Sequence, residues 1–272
     1  MNDKTGVVRK EAPAINNAMP RNTLYYQVNG SGPAVVLISG LGGLAEFWQP
    51  IVRTLVQSYT VVTFDHPGIG KSPLTDGHTI PGIARDVCAL LDHLTIKKAH
   101  IVGHSTGGLI AQTLALDYPE RVTRVVMSGA WARSDRRMRD LFDVRRTVLE
   151  QLGRPTYQAL SNLVAYPAIW YETNVASDES LDLDVQLGRT EAITARIRML
   201  LAFDRSQELI NITAPVFIIG APDDQVIPFY HSQELVRLIP RARLAEMAGG
   251  HLFPLVNPDQ FALAIKDYLG FA

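Results

Sequence analysis

The stretch AHIVGHSTGGLI, residues 99–110, joins a short apolar run to a glycine-rich turn and then to an apolar helix pattern. The G-x-S-x-G pattern at its centre is a weak signal alone, but between a strand and a helix it is typical of a nucleophile turn. Such a turn lifts the serine hydroxyl clear of the sheet, and Gly103 and Gly107 supply the small residues that its crowded backbone needs. We therefore predict that Ser105 is a nucleophile rather than a capping serine in an ordinary glycine-rich turn.

Outside this stretch, short β-branched runs alternate with helical patterns along most of the chain. Strands that alternate with helices predict βαβ units, and hence an α/β fold with a mostly parallel central sheet flanked by helices. The nearly continuous apolar character of 34–38 and 215–219 favours central strands that are buried on both faces. The predicted strands are 23–28, 34–39, 60–65, 100–103, 124–128, 215–220 and 242–247, and the predicted helices are 45–57, 83–94, 105–118, 229–239 and 259–269.

The alternation stops in one internal segment, 131–205, which contains no convincing strand. Its patterns predict three helices, at 134–153, 159–167 and 187–203, and Gly153 with Pro155 is expected to end the first of them. We interpret the segment as a helical lid inserted before the last two strands. The remaining chain then divides into a flexible N-terminal segment, 1–20, and a core formed by 21–130 and 206–272.

Two acidic residues and one histidine follow later strands and are candidates to complete the site of the serine. Asp223 and Asp224 follow the predicted strand 215–220, at the strand end where sheet enzymes place their sites. His251 comes after the next strand and a Gly-Gly loop. The turn and the order serine, acid, histidine resemble the α/β-hydrolase superfamily. This resemblance implies that His251 is the base and Asp224 the acid, because the superfamily's acid usually stands four residues before a proline, here Pro228.

An acyl-transfer site also needs hydrogen-bond donors for the oxyanion. One is the backbone N–H of Thr106, the residue after the predicted nucleophile. The superfamily resemblance implies a second in the loop SGLGG, because Leu41 fills the position that usually follows His-Gly. Ser39 stands here where that histidine is common. The loop DHPGIGKS, residues 65–72, resembles a structural glycine loop of the same superfamily.

Several longer motifs indicate a narrower family within this superfamily. They are LISGLGGLAEFW, VVTFDHPGIGKSP, HIVGHSTGGLI, and in the predicted lid YPAIW at 166–170 and AFD at 202–204. Together they are similar to the RutD-like hydrolases of pyrimidine catabolism, from about Leu24 to the C-terminus. The resemblance implies an aminoacrylate or carbamate-type substrate. In that family we expect that alanine can replace the serine of the nucleophile turn, whereas this chain has Ser105 at that position. Attack by the serine and direct attack by water are therefore both open.

The predicted lid carries candidate substrate contacts. It is rich in arginine, and one or two guanidinium groups would bind a carboxylate-bearing substrate. Arg145 and Arg146 are the best candidates because they lie nearest the apolar stripe of the helix, and Trp131 and Trp170 are candidates for the pocket wall. The alternatives are that the arginines lie on a solvated helix face and that the tryptophans pack in the lid core.

The bulk composition argues against several classes of protein. The formal net charge is −1, which gives no bulk attraction to nucleic acid or to an anionic membrane. The single cysteine, Cys88, lies in a helix pattern, and no C-x-x-C spacing predicts a metal site. No signal peptide and no transmembrane helix are predicted. We expect a cytoplasmic protein that acts on a small molecule without metal or cofactor; formation of a homo-oligomer is open.

These observations predict a serine hydrolase that cleaves a small ester, lactone, amide or carbamate with a Ser-His-Asp triad. A serine at 105 argues against haloalkane dehalogenases and epoxide hydrolases, which need a carboxylate there. Two other functions fit the same residues. A cofactor-free oxygenase would use only the pair His251 and Asp224, and a receptor-like binding protein would keep the triad in a slow or vestigial form.

Overall fold

The computed structural model of the protein describes residues 24–75, 78–174 and 189–270. Its strands are β1 (Tyr26–Asn29), β2 (Ala34–Ile38), β3 (Thr60–Phe64), β4 (Ala99–His104), β5 (Val122–Ser128), β6 (Val216–Gly220) and β7 (Arg243–Glu246). They form a seven-stranded sheet in the order β1-β3-β2-β4-β5-β6-β7. β1 pairs antiparallel with β3, and the other neighbouring strands pair parallel. The predicted α/β fold with a mostly parallel sheet is confirmed.

The helices follow the predicted pattern with shifted ends. The predicted helix 45–57 starts as a 3₁₀ turn, Ala45–Trp48, before it becomes α-helical. The predicted helix 83–94 starts earlier, because Thr79 Oγ1 accepts a hydrogen bond from the Gly82 amide (3.1 Å) and a proline fits the first turn. The helices are α1 (Gln49–Leu55), α2 (Ile80–His93), α3 (Thr106–Asp117), α4 (Arg136–Ala165), α5 (Ala168–Asn174), α6 (Thr190–Leu201), α7 (Tyr230–Leu238), α8 (Phe253–Val256) and α9 (Pro258–Gly270). None of these is both long and apolar enough to cross a lipid bilayer.

The central strands are buried on both faces, as their continuous apolar sequence predicts. In β2, Val36 and Ile38 join the hydrophobic cluster that includes residues of α2 and α3. Val35 and Leu37 join a second cluster on the opposite face, with residues of α1 and α9. Successive side chains of a strand point to opposite faces, so an unbroken apolar run is needed when helices cover both.

The helices α4, α5 and α6 lie between β5 and β6 in the chain, and this helical insertion before the last two strands is the segment that we interpret as a lid and call the lid. As predicted, the first helix ends at Gly153, whose non-helical angles (φ 80°, ψ 177°) divide α4 into two helical halves. The second half begins directly after this kink, earlier than the predicted start at 159, and ends at Ala165. Pro155 then stands in the first turn of the second half, where a missing N–H costs little. The predicted segment 1–20 and the start of the predicted helix 187–203 lie outside the described residues.

We predict that Gly103→Ala strongly destabilises the fold, whereas Gly42→Ala does not. A methyl group on Gly103 would collide with the carbonyl group of Gly107, because β4 and α3 cross there in direct backbone contact. A methyl group on Gly42 would meet nothing within 4 Å. Urea unfolding should show a loss of roughly 3 kcal/mol for the first variant and less than about 0.5 kcal/mol for the second. Equal stability of the two variants would contradict the packing described here.

Candidate active site

Ser105 occupies a strained turn between β4 and α3. Its backbone angles are φ 54° and ψ −121°, a region that non-glycine residues rarely adopt and that costs about 1–3 kcal/mol. Two backbone hydrogen bonds hold the turn, from the Ser105 amide to the Ser128 carbonyl and from the Gly108 amide to the Ser105 carbonyl, both 2.8 Å. A side chain at Gly107 would collide with the Ile38 carbonyl of β2. The turn is therefore fixed from both neighbouring strands and from the helix that follows it.

The structure brings Ser105, His251 and Asp224 into one chain of hydrogen bonds. His251 Nε2 lies 3.0 Å from Ser105 Oγ, and His251 Nδ1 lies 2.8 Å from Asp224 Oδ2. A carboxylate only accepts hydrogen bonds, so Nδ1 carries the proton and, in neutral His251, Nε2 accepts the serine hydroxyl. The other oxygen of Asp224 accepts from the amides of Val226 and Ile227, both at 2.8 Å. The aspartate is thereby fixed at both oxygens.

The neighbouring Asp223 has a separate structural role. Its carboxylate accepts hydrogen bonds from the amides of Gly249 (3.1 and 3.2 Å) and Gly250 (3.0 Å), the two residues before His251. The contact ties the loop that carries the histidine to the loop that carries Asp224.

The loop after β2 lies beside the serine. It closes as a turn, in which the Gly43 amide donates to the Gly40 carbonyl at 3.1 Å. A Cβ atom on Gly40 would be 3.2 Å from Ser105 Cβ and 3.6 Å from Ser105 Oγ. The amides of Leu41 and Thr106 make no hydrogen bond to any residue that the structure describes. The Thr106 amide is in the first turn of α3, where backbone donors have no partner within the helix.

A cavity of about 570 Å³ opens above Ser105, His251 and His104. Its volume is within the usual range for small-molecule sites. Most of the wall is apolar and comes from the loop after β2, the lid and α8. The apolar lining includes Leu41, Leu44, Phe47, Phe142, Ile193, Val226, Leu252 and Leu255, and the polar lining includes Glu46, Arg145, Gln158, Ser161 and Asn162.

Of the four lid residues suggested by the sequence, Arg145 lines this cavity. Its side chain is buried, and Nη2 donates to Tyr157 Oη and Ser161 Oγ, both at 3.0 Å. The guanidinium lies 4.9 Å from the ring centre of Phe142 and 5.1 Å from that of Tyr157. Its Nε atom is buried without a hydrogen-bond partner. Within the described part of the chain, no carboxylate pairs with this guanidinium.

The structure does not bring Arg146, Trp131 or Trp170 to the wall of this cavity. Arg146 pairs with Asp143 and Glu150 on the outer face of α4. Trp131 is fully buried in the core next to α3, where its carbonyl accepts from Gln112 Nε2 at 2.9 Å. The Trp170 ring stacks on Tyr166, with ring centres 4.4 Å apart.

Sequence reasoning missed a second lid arginine, Arg196. It is fully buried and reaches the loop after β2, where its Nε donates to the Leu41 carbonyl at 2.8 Å. The signal was present in the sequence, because Arg196 follows Ile193 by three residues on the apolar face of α6. A charged residue inside an apolar stripe indicates a buried polar contact.

Two further histidines near the site are buried and neutral. Burial, and then the positive charge that His251 can carry, hold the pKa of His104 well below its ordinary value. The His104 ring lies 5.0 Å from the His251 ring and hydrogen-bonds Ser128 Oγ through Nδ1 at 3.0 Å. Burial and the Arg196 charge lower the pKa of His66 in the same way.

The family of the chain follows from comparison with known proteins. Residues 33–258 match the sequence model of the family described as the alpha/beta hydrolase fold. The chain belongs to the α/β-hydrolase fold family. It is 36% identical over 251 residues to a protein of Azorhizobium caulinodans named "Putative carbamate hydrolase RutD", with 91% of this chain and 95% of the relative covered. A protein of the same name from Caulobacter vibrioides is 37% identical over 256 residues, with 90% and 95% covered.

The fold of this α/β hydrolase also matches solved structures. The enol-lactonase of Burkholderia xenovorans superposes with a TM-score of 0.81 at 26% sequence identity, covering 90% of this chain and 96% of that chain. The predicted resemblance to α/β hydrolases and to RutD-like proteins is confirmed, and the protein is a hydrolase. Across 24–75, 78–174 and 189–270, no group of three or more His, Cys, Asp or Glu side chains is placed to hold a metal ion.

We predict that His104→Asn weakens the acid sensitivity of the fold. The unfolded chain binds a proton at this histidine below about pH 6.5, whereas the folded chain does not, so this contribution to stability is present above pH 6.5 and lost as the pH falls. Removing the histidine should reduce the slope of unfolding free energy against pH by up to about 1.4 kcal/mol per unit between pH 6 and 5. Urea unfolding from pH 8 to 5 measures the slope, and the difference at pH 8 reports the packing change alone. An unchanged slope would show that His104 takes up a proton in the folded state.

Proposed function

We propose that this α/β hydrolase cleaves small acyl compounds by a covalent mechanism in which Ser105 is the nucleophile. One observation carries the proposal: the hydrogen-bonded chain Ser105–His251–Asp224 stands on a strained turn at the floor of a cavity. A serine hydroxyl is a poor nucleophile unless an adjacent base takes its proton, and a third group must orient that base. All three groups are within hydrogen-bonding distance here.

The proposed reaction has two halves. His251 Nε2 removes the Ser105 proton while Oγ attacks the substrate carbonyl carbon, and Asp224 stabilises the imidazolium that forms. The amides of Leu41 and Thr106 donate to the resulting oxyanion. The leaving group takes the proton from His251 as its bond to the carbonyl carbon breaks, which leaves the acyl group on Ser105. A water molecule, activated by the same histidine, then releases the acid and restores the serine.

The substrate class in this proposal is a small carbamate, amide, ester or lactone. The curated relatives at 36% and 37% identity are named as carbamate hydrolases, which favours a carbamate-type or related C–N bond. The solved enol-lactonase has the same fold at 26% identity, which keeps an ester-type bond within the proposal. All these substrates pass through a tetrahedral oxyanion, so the same donors and the same triad serve each of them.

We further propose that the substrate bears a carboxylate that Arg145 binds. Arg145 lines the cavity, is buried, and has no carboxylate partner among the described residues. An uncompensated cation in the wall of an apolar cavity creates a positive potential that favours an anion. The carboxylate that does line the cavity, Glu46, is exposed to solvent, where water screens its charge.

The first test compares the wild type and Ser105→Ala on an acetate ester, an enol lactone and 3-aminoacrylate. We expect kcat to fall by several powers of ten on each substrate, as for loss of a triad nucleophile. Product release measures the rate, and Ser58→Ala, after α1 at the other end of the sheet from the site, is the matched control. Retention of aminoacrylate turnover in Ser105→Ala would contradict the covalent mechanism for that substrate and favour direct water attack aided by His251 and Asp224.

The second test concerns Arg145. We expect Arg145→Met to raise KM roughly 10- to 100-fold for a carboxylate-bearing substrate, the value of a hydrogen bond to a charged group. The methyl ester of the same carboxylate, which lacks the charge, should change less than about threefold. Steady-state kinetics with the matched pair of substrates gives the comparison. If Arg146→Met raises KM instead, the carboxylate binds elsewhere on the lid.

A further inference from the structure

Arg196 lies in lid helix α6, but its guanidinium is enclosed by the core and no part of it is exposed. Burial lowers the pKa of Arg196 to about 10, so the side chain is still charged at neutral pH. No carboxylate neutralises this charge within the residues described. A buried cation without an anion is costly, and hydrogen bonds to its donors offset part of that cost.

The hydrogen bonds of Arg196 go to the loop after β2. Nε donates to the Leu41 carbonyl at 2.8 Å, and Nη2 lies 3.4 Å from the Gly40 carbonyl. Nη2 also lies 2.9 Å from His66 Nδ1, which accepts because His66 is neutral. The loop wraps closely around this group: a Cβ atom on Gly43 would be 3.0 Å from Arg196 Nη2 and 3.0 Å from His66 Cβ. The guanidinium therefore fixes two successive carbonyl groups of the loop.

These carbonyl groups determine where the Leu41 amide points. The Gly40 carbonyl and the Leu41 N–H belong to one planar peptide unit, in which C=O and N–H point in opposite directions. Arg196 and the Gly43 amide hold the carbonyl on one side. The N–H is consequently directed to the other side of the loop. Gly40 lies against the Ser105 side chain, so this peptide unit borders the reacting atom.

The positive charge of Arg196, like its hydrogen bonds to the loop, favours an oxyanion beside Ser105. An oxyanion that forms beside Ser105 would be separated from the guanidinium by the peptide unit that Arg196 itself contacts. Inside a protein, where the dielectric constant is lower than in water, such a fixed positive charge stabilises developing negative charge. The ground-state substrate carries no oxyanion, so the stabilisation is selective for the transition state.

We propose that Arg196 is a positioning residue, which holds the Leu41 amide in oxyanion-binding geometry and makes the oxyanion hole depend on a seated lid. This inference rests on the proposed function, because it assigns the Leu41 amide to the oxyanion. Arg196 does not line the cavity and acts on the reacting atoms through the loop.

The test compares Arg196→Met and Arg196→Lys with the matched control Arg198→Met, which changes an exposed arginine two residues along the same helix. We expect Arg196→Met to lower kcat roughly 10- to 100-fold, less than the 10²- to 10³-fold cost of deleting an oxyanion donor. KM should change less than about threefold, because ground-state binding does not use the oxyanion hole. Arg196→Lys keeps the charge without the planar fork and should be intermediate.

Two additional measurements separate this role from a purely structural one. Affinity for a boronic acid, which forms a tetrahedral adduct with a serine nucleophile, should fall by about the same factor as kcat. Thermal unfolding establishes that the compared variants are folded. If Arg196→Met does not fold, Arg196→Lys is compared with the wild type instead, because a lower kcat with a nearly unchanged KM is expected for that variant too.

The outcomes for Arg196 and for Ser105 are distinguishable. Wild-type kcat in a folded Arg196→Met or Arg196→Lys variant would overturn the inference, and so would a loss confined to KM. If instead the wild type forms no acyl-enzyme in single-turnover experiments and Ser105→Ala remains active, the nucleophile assignment fails. In that case kcat of the Arg196 variants still decides the inference, because direct water attack also produces an oxyanion.

Discussion

The geometry of the candidate site depends on the crossing of β4 and α3 at Ser105. A positive φ at a serine persists only where the surroundings fix the backbone more firmly than the strain can relax it. Here Gly103 and Gly107 let strand and helix backbones touch, and Gly107 also packs on the carbonyl of Ile38 in β2. The strained turn therefore exists because three backbone segments meet without side chains between them.

The parallel sheet brings the other loops of the candidate site next to the turn that carries Ser105. Because β2, β4, β6 and β7 run in the same direction, the loops at their carboxyl ends meet along one edge of the sheet. These loops carry the turn 40–43, Ser105, Asp224 and His251. Asp223 joins two of them through the amides of Gly249 and Gly250. The chemistry is thus concentrated in short loops whose positions the buried strands fix.

The arginines on the outer and inner sides of the lid have different kinds of partner. Salt bridges on its outer face, such as those of Arg146, are exposed and contribute little to stability. Arg145 and Arg196 point inwards and find only neutral acceptors: a phenol, a hydroxyl, backbone carbonyls and an imidazole. Neutral acceptors satisfy donors without cancelling the charge. The inner side of the lid consequently keeps a positive character that the net charge of −1 conceals.

The sequence was sufficient for the sheet and for Ser105, because periodicity and a glycine pattern are local signatures. His251 and Asp224 were selected with the help of the resemblance to α/β hydrolases, which decided between Asp223 and Asp224. The sequence was not sufficient for the lid side chains. Arg145 and Arg146 differ by about 100° around one helix, and the apolar stripe of α4 was too broad to choose between them. The apolar face of α6 could have indicated that Arg196 is buried, but not its partners, which are two backbone carbonyls and a histidine 155, 156 and 130 residues away. No local pattern encodes an acceptor that tertiary folding creates.

The distances along the chain between the interacting groups have a consequence for how the protein folds. Ser105 and His251 are separated by 146 residues, and Arg196 and Leu41 by 155. Contacts between such distant positions form late and slowly, because a long loop must close before they bring any gain. The nucleophile turn can form from neighbouring segments, but the base and the lid arginine reach it only after most of the chain is in place. Recovery of catalysis after unfolding therefore reports the last stage of assembly, whereas recovery of helical signal reports a much earlier one.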